Sequence, residues 1–374
     1  MRIGLIAEFN PLHSGHEYLI NQAKNLIEEY KSGELICVMS EFFTQRGEIA
    51  VINPYSRAKA AINAGCDLVL ALPYRASLAY SDDFARYSLD ILIKSGITHL
   101  IFGTDYNIED FDRLYIEEGN KQDQIKELIK KGLSYPKIMQ EVLDIPKDSP
   151  NFILAYSYYK VIKEKAPHIE IIAINREGQK LNDNKLEEKK YLSATSIRNN
   201  IEDTFVNNYM SPTMQEELAK HKKLNEEDFF QLIKYKVLSM GTDNLKEIYD
   251  VREGLENRIY KAALESNNHK ELIDNIVSKR YTRKRIARIL IHILTSSTRE
   301  AMLKDIEHVR VLAVKKDKTS LIRDINNREA ILLHQKLKKH NEEIFEHDIR
   351  AARIYQFLSG DQDIFKYNIE IIGE

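Results

Sequence analysis

Cysteine is almost absent from this chain: Cys37 and Cys66 are the whole complement among 374 residues, and both fall in apolar stretches. Two such thiols read as buried and free, in a reducing cytoplasm, rather than as a disulfide or a metal pair. Long apolar runs are missing too. None approaches the eighteen or so residues that a membrane span requires, and Glu8 interrupts the opening run, so the first residues lack a signal-peptide pattern. Excess charge of one sign is a third absence. The formal net charge is −2, so any attraction to nucleic acid must come from a local patch. Internal repeats and low-complexity tracts are also lacking. With 30% charged and 43% hydrophobic residues, the composition is that of an ordinary folded protein. The length allows two domains, or three small ones, each with its own core.

The most informative stretch is residues 2–19, RIGLIAEFNPLHSGHEYL. Residues 3–9 form an apolar run long enough for one buried strand. Asn10-Pro11 then signals a turn, because proline disfavours the α region for the residue before it. His13, Gly15 and His16 follow, and Leu19, Ile20, Ala23 and Ile27 recur at helical spacing. Two histidines therefore stand where a strand becomes a helix, the place where backbone N–H groups and the helix dipole meet a phosphate. Gly15 removes a Cβ that would hold a ligand off the backbone. Imidazoles donating hydrogen bonds there suit the charge that builds on an α-phosphate during in-line attack. Helix capping or metal binding by the same histidines is the plainer alternative.

The rest of the first half alternates. Strands are expected at 34–39, 67–72, 98–102 and 170–174, and helices at 19–30, 57–64, 84–95 and 151–163. Such alternation predicts an α/β fold, a Rossmann-like parallel sheet with helices on both faces. Ligands bind such sheets beyond the carboxyl ends of the strands, where His13, Ser40, Gly103 and Arg176 fall. A charged loop at 180–190 leads into Ser193-Ala194-Thr195-Ser196-Ile197-Arg198. Hydroxyls opening a helix with an arginine in its first turn make a second phosphate site, or a simple N-cap.

Beyond residue 200 strand signals mostly stop. Helices are expected at 226–240, 245–263, 270–277, 282–294 and 328–339, while 309–314 and 367–372 read as strands or buried edges. This predicts a nucleotide domain over 1–204 and a mainly helical domain over 205–374. Within the latter, six of the ten residues from Lys279 to Arg288 are basic. As a helix, Arg280, Lys284 and Arg288 would share one face, open to a polyanion, with Tyr281 available to stack on a base.

Together these motifs resemble those of the HIGH-type nucleotidyltransferases and, more narrowly, of the tRNA(Met) cytidine acetate ligase family. The resemblance rests on Glu8-Phe9-Asn10-Pro11-Leu12-His13-Ser14-Gly15-His16, Met39-Ser40, Gln45-Arg46-Gly47-Glu48, Gly65-Cys66-Asp67-Leu68-Val69 and Phe102-Gly103-Thr104-Asp105. Ser193 to Arg198 and Ser278-Lys279-Arg280-Tyr281 with Arg285 and Arg288 extend it across residues 1–315. It implies a cytoplasmic enzyme that joins acetate to AMP from ATP, then passes the acetyl group to N4 of the wobble cytidine of elongator tRNA(Met). His13 and His16 would be catalytic. ATP would meet Ile6, Ala7, Glu8, Phe9, Asn10, Pro11, Gly15, Leu19, Gly103, Asn151 and Arg176, with Thr195, Ser196 and Arg198 on the leaving pyrophosphate. Ser40 and Arg46 would face acetate. Lys279, Arg280, Tyr281, Arg283, Lys284, Arg285 and Arg288 would hold tRNA. Magnesium would accompany ATP, without a dedicated carboxylate cage; neither a membrane nor a protein partner is implied.

The chain departs from that pattern at Leu12, in place of phenylalanine, and at Glu41, in place of glycine. VKKDK replaces an expected glycine-ended segment near Arg310. Glu41 bears on function, since a carboxylate beside the acetate loop would repel an anion unless it points away. Two rival readings remain: a small-metabolite adenylyltransferase, which leaves the basic segment without a task, and a non-catalytic RNA-binding protein with a vestigial nucleotide site.

Overall fold

The computed structural model describes residues 1–131, 133, 135–143, 145, 150–176 and 190–373. The charged run 180–190 lies, except for Lys190, outside the described residues. The apolar runs of the first half become β1 (Arg2–Ala7), β2 (Glu34–Ser40), β3 (Leu68–Leu72), β4 (His99–Thr104) and β5 (Glu170–Asn175). They pair in parallel in the order β5-β4-β1-β2-β3. β3 is buried along its whole length, as the near-continuous apolar run of a strand covered on both faces demands. Each crossover carries helix, and β1 lies between β2 and β4, so the order reverses there and leaves a crevice beyond the strand ends.

The sheet does not stop at residue 205. β6 (His308–Lys315) pairs antiparallel with β3, Leu68 opposite Val314, and carries β7 (Leu332–His334) and β8 (Glu370–Ile372) along its other edge. The sheet is therefore mixed, and the second half of the chain returns to it. Two expected helices change. The 328–339 run contains β7, which draws its backbone partners from β6. The 245–263 run breaks, because the helix Glu226–Leu245 ends at Leu245 and the next begins only at Leu255.

The helical part packs Phe229, Phe230 and Ile233 against Ile286, Ile289 and Leu290. That core also takes in Phe42, Phe43, Tyr74 and Leu78 from the sheet half. The loop after β2 is thus sealed between the two parts. Gly47 has φ +74°, and a Cβ there would come within 2.5 Å of the Arg288 backbone nitrogen. Cys37 and Cys66 are free, buried thiols. Among the described residues no helix is long and apolar enough to cross a membrane.

Candidate functional site

A cavity of about 360 Å³ opens at the crevice, floored by the ends of β1 and β4. β1 ends at Ala7, and Phe9 turns the chain at φ +44°. Asn10 then ties this exit to the loop after β2, donating from Nδ2 to the Ile49 carbonyl at 3.0 Å and accepting from the Val51 N–H at 2.8 Å.

His13 is the N-cap of the helix Ser14–Glu29, and its Nδ1 accepts from the Gly15 N–H at 3.1 Å. The His13 N–H in turn donates to Nδ1 of His16 at 3.3 Å. The two rings lie 3.8 Å apart, and His16 meets Phe9 edge-on. Both Nδ1 atoms are therefore acceptors, which assigns the proton of each neutral ring to Nε2. Burial, His16 and Arg176 hold His13 well below the usual imidazole range. Burial, with Arg176 beside it, pushes His16 down to about 3. At neutral pH the pair therefore offers two Nε2–H donors and no ring lone pair. Capping and phosphate contact, set as alternatives by the sequence, are compatible: Nδ1 caps and Nε2 remains for a ligand.

Basic groups surround the pair. Arg176 follows β5 directly, and its side chain crosses Gly103, where a Cβ would come within 3.3 Å of the Arg176 Cγ. Arg198, on the helix Ala194–Asn199, donates to the Asn10 carbonyl and to Glu48, both at 2.7 Å. Arg46, Lys284 and Arg288 complete five basic side chains in the wall, against the carboxylates of Glu8 and Glu48. Burial, reinforced by Arg46, lowers Lys284 to about 8. Such a cavity favours a polyanion.

Most of the expected nucleotide residues line this space: Ile6, Ala7, Glu8, Phe9, Asn10, His13, Gly15, His16, Leu19, Gly103, Asn151, Arg176, Thr195 and Arg198. Pro11 and Ser196 are not in the wall; both are buried, and the Ser196 N–H serves the cap by donating to Ser193 Oγ. Of the two acetate candidates Arg46 lines the cavity, whereas Ser40 is buried and its carbonyl accepts from Arg57 at 3.0 Å. Glu41 points away: it forms a buried ion pair with Arg310, which also donates to the Tyr55 hydroxyl at 2.9 Å.

The basic segment divides. The helix begins at Arg283, with Thr282 as its cap, so Arg280 precedes it and does not share a face with Lys284 and Arg288. Tyr281 is buried in the helical core and is no open stacking platform. Arg285 pairs with Asp250 at 2.7 Å, and Arg283 with Asp274. Lys279 and Arg280 are exposed, while Lys284 and Arg288 reach the cavity. Sequence reasoning did not assign Gln45, Glu48, Tyr158 or Thr282, which also line it. Gln45 and Glu48 belong to the recognised motif Gln45-Arg46-Gly47-Glu48, in which only Arg46 was given a role; Tyr158 gave no signal, since it reads as core in an apolar helix.

A parallel sheet with paired histidines at its first strand-to-helix turn, facing a basic crevice, is the arrangement of a nucleotidyltransferase. The HIGH Nucleotidyl Transferase family model matches residues 1–368. Curated tRNA(Met) cytidine acetate ligases from Staphylococcus aureus strains MRSA252 and JH9 are each 33% identical over 384 aligned positions, covering 100% of this chain and 99% of the relative. The crystal structure of apo Thermotoga maritima TmcAL superposes with a TM-score of 0.88 at 22% identity, covering 99% of both chains. The same protein bound with alpha-thio ATP gives 0.84, also at 22% identity, over 98% of this chain and 97% of that one. The chain belongs to the HIGH nucleotidyltransferase family, among the tRNA(Met) cytidine acetate ligases.

Proposed function

We propose that this protein is an ATP-dependent acetate ligase that acetylates N4 of the wobble cytidine of elongator tRNA(Met) in the cytoplasm. One observation carries the reading: two neutral imidazoles, each with Nε2–H to donate, line the same cavity as Lys284 and Arg288 of the helical half. Acetate is too poor an acyl donor to acylate an aromatic amine, so it must first be activated. An acetate oxygen attacks the α-phosphorus of ATP, and pyrophosphate leaves. His13 and His16 donate to the α-phosphate oxygens as charge gathers there. Thr195 and Arg198 face the departing pyrophosphate, and Arg46 pairs with the acetate carboxylate. The mixed anhydride then acylates the cytidine amine in a cavity that limits hydrolysis. Magnesium would be held chiefly by the ATP phosphates and would screen their charge. Of the cavity carboxylates Glu48 is committed to Arg198, so the described wall offers a metal ion few donors of its own.

The test supplies labelled acetate, ATP and total tRNA. Acid-stable label in N4-acetylcytidine of tRNA(Met) is the expected result. Label in a small metabolite would favour a metabolite adenylyltransferase, and RNA binding without label a non-catalytic role. His16→Ala should lower adenylate formation by roughly two or more orders of magnitude, the scale for losing a transition-state donor.

A further inference from the structure

The second half-reaction needs a group to take a proton from the cytidine amine, and the imidazoles are ill suited to it. Each has Nδ1 occupied by a backbone N–H and a proton on Nε2, so neither has a free lone pair. Glu48 is held by Arg198 at 2.7 Å. Glu8 is different. Its Oε1 accepts from the Gln45 N–H at 2.6 Å, and its own carbonyl accepts from Arg57 at 2.6 Å, so its backbone and one carboxylate oxygen are fixed. Among the described residues it makes no ion pair, and its second carboxylate oxygen has no hydrogen-bond partner. The residue lines the cavity beside the acetate-facing loop.

We propose that Glu8 is the catalytic base of acetyl transfer, receiving the N4 proton of the acceptor cytidine. The proposal rests on the ligase reading above. As N4 bonds to the acetyl carbon, the acyl carbon–oxygen bond to phosphate breaks and AMP leaves with the electron pair. The proton on N4 passes to the carboxylate, giving N4-acetylcytidine, AMP and a carboxylic acid that later returns the proton to solvent. A carboxylate is also the natural acceptor for the exocyclic amine of cytosine, so the same group orients the base before it reacts.

The charged and titratable groups around it come from five elements. They are Arg46 and Glu48 on the loop after β2, Arg57 on the helix Pro54–Ala64, Arg198 on the helix Ala194–Asn199, Tyr158 on the helix Pro150–Lys165, and Lys284 on the helix Arg283–Leu294. Burial, with Glu48 adding, raises the Glu8 carboxyl above its ordinary range against the opposing Gln45 N–H and the two arginines. That direction brings a carboxylate toward the basicity a proton acceptor needs near neutral pH. Lys284, lowered to about 8, is the competing base.

The experiment separates the half-reactions in the full-length protein. Pyrophosphate exchange reports adenylation, and a single turnover with preformed acetyl-adenylate and tRNA(Met) reports transfer, each across pH. Glu8→Gln keeps an oxygen for the Gln45 N–H but removes the base. Its transfer rate should fall about a hundredfold relative to its own exchange rate and lose the limb that rises with pH in the wild type, with Glu8→Asp restoring part of both. Transfer within a few-fold of wild type, or exchange and transfer falling by the same factor, overturns the assignment. So does a rising limb that persists in Glu8→Gln and vanishes in Lys284→Met. Failure of the wild-type protein to acetylate any tRNA would instead remove the ligase reading itself.

Discussion

Removing Glu41 should damage stability and spare the use of acetate. This carboxylate stands where relatives are expected to carry glycine, next to the loop that holds Arg46. The structure directs it inward, into an ion pair with Arg310 in which the side chains are 6% and 3% exposed. Among the described residues Arg310 has one further hydrogen-bond partner, the Tyr55 hydroxyl at 2.9 Å, its Nε makes no hydrogen bond, and Asp348 is the other carboxylate that acts on its charge. Glu41→Ala therefore leaves a desolvated guanidinium without its direct ion-pair partner, with only the more distant Asp348 charge to offset it, a situation that costs about 3–5 kcal/mol. Replacing both partners, as Glu41→Ala with Arg310→Met, removes the stranded charge and should recover most of that loss. The chain has no tryptophan, so urea unfolding is followed by far-ultraviolet circular dichroism, and the acetate KM is measured on the same preparations. A single variant losing under about 1 kcal/mol would show the pair to be unimportant. A several-fold fall in acetate KM in Glu41→Ala would show that the carboxylate faces the substrate, and would refute the inward placement.

Two further outcomes are expected. His16 titrates near 3 when folded but at about 6.5 when unfolded, so between those values the unfolded chain binds the extra proton and stability falls as pH drops. His16→Gln should lose less stability than the wild type between about pH 7 and 4, measured by thermal melts; equal losses would show that His16 is not held neutral. At the basic segment, Lys279→Glu with Arg280→Glu should weaken tRNA binding and flatten its salt dependence. Tyr281→Ala should instead destabilise the fold by about 3 kcal/mol, as the loss of a buried aromatic does, and the opposite pattern in filter-binding and unfolding experiments would reverse the two assignments.

The nucleotide turn was legible because its chemistry and its backbone geometry are local. A strand, a turn and a helix start lie within residues 2–19, and the histidines fall between them. The alternation of strand and helix told of a parallel sheet with helices on its faces, but the order β5-β4-β1-β2-β3 is seen only in the structure. What stayed illegible was non-local. The run 309–314, read as a strand or buried edge, is indeed β6, but nothing in it marks β3, some 240 residues earlier, as its partner. The basic segment misled for a related reason. Its charge pattern says nothing of Asp250 and Asp274, which occupy Arg285 and Arg283 from outside the segment. Nor does it show that Tyr281 is needed by the core. Glu41 appeared as an isolated departure, with no sign that Arg310, about 270 positions away, is its ion-pair partner.

The same non-local contacts tie the cavity to the helical half as a fixed frame. Asn10 binds the loop after β2 at Ile49 and Val51, Glu8 binds it at Gln45, and Arg288 donates to the Gln45 carbonyl at 3.0 Å. Gly47 leaves no room for even a methyl group against that helix. A loop gripped from β1 on one side and from the helix Arg283–Leu294 on the other cannot shift Arg46 without disturbing both. On the proposed function, it follows that the acceptor comes to the site rather than the site to the acceptor. A wobble nucleoside in a single-stranded loop can be extruded from its stack at modest cost, and Lys279 and Arg280 stand exposed just before the helix whose next turns, at Lys284 and Arg288, enter the cavity. The basic segment thus reads as a path with an outer end for RNA backbone and an inner end for reacting groups, which is why its residues divide as they do between surface and wall.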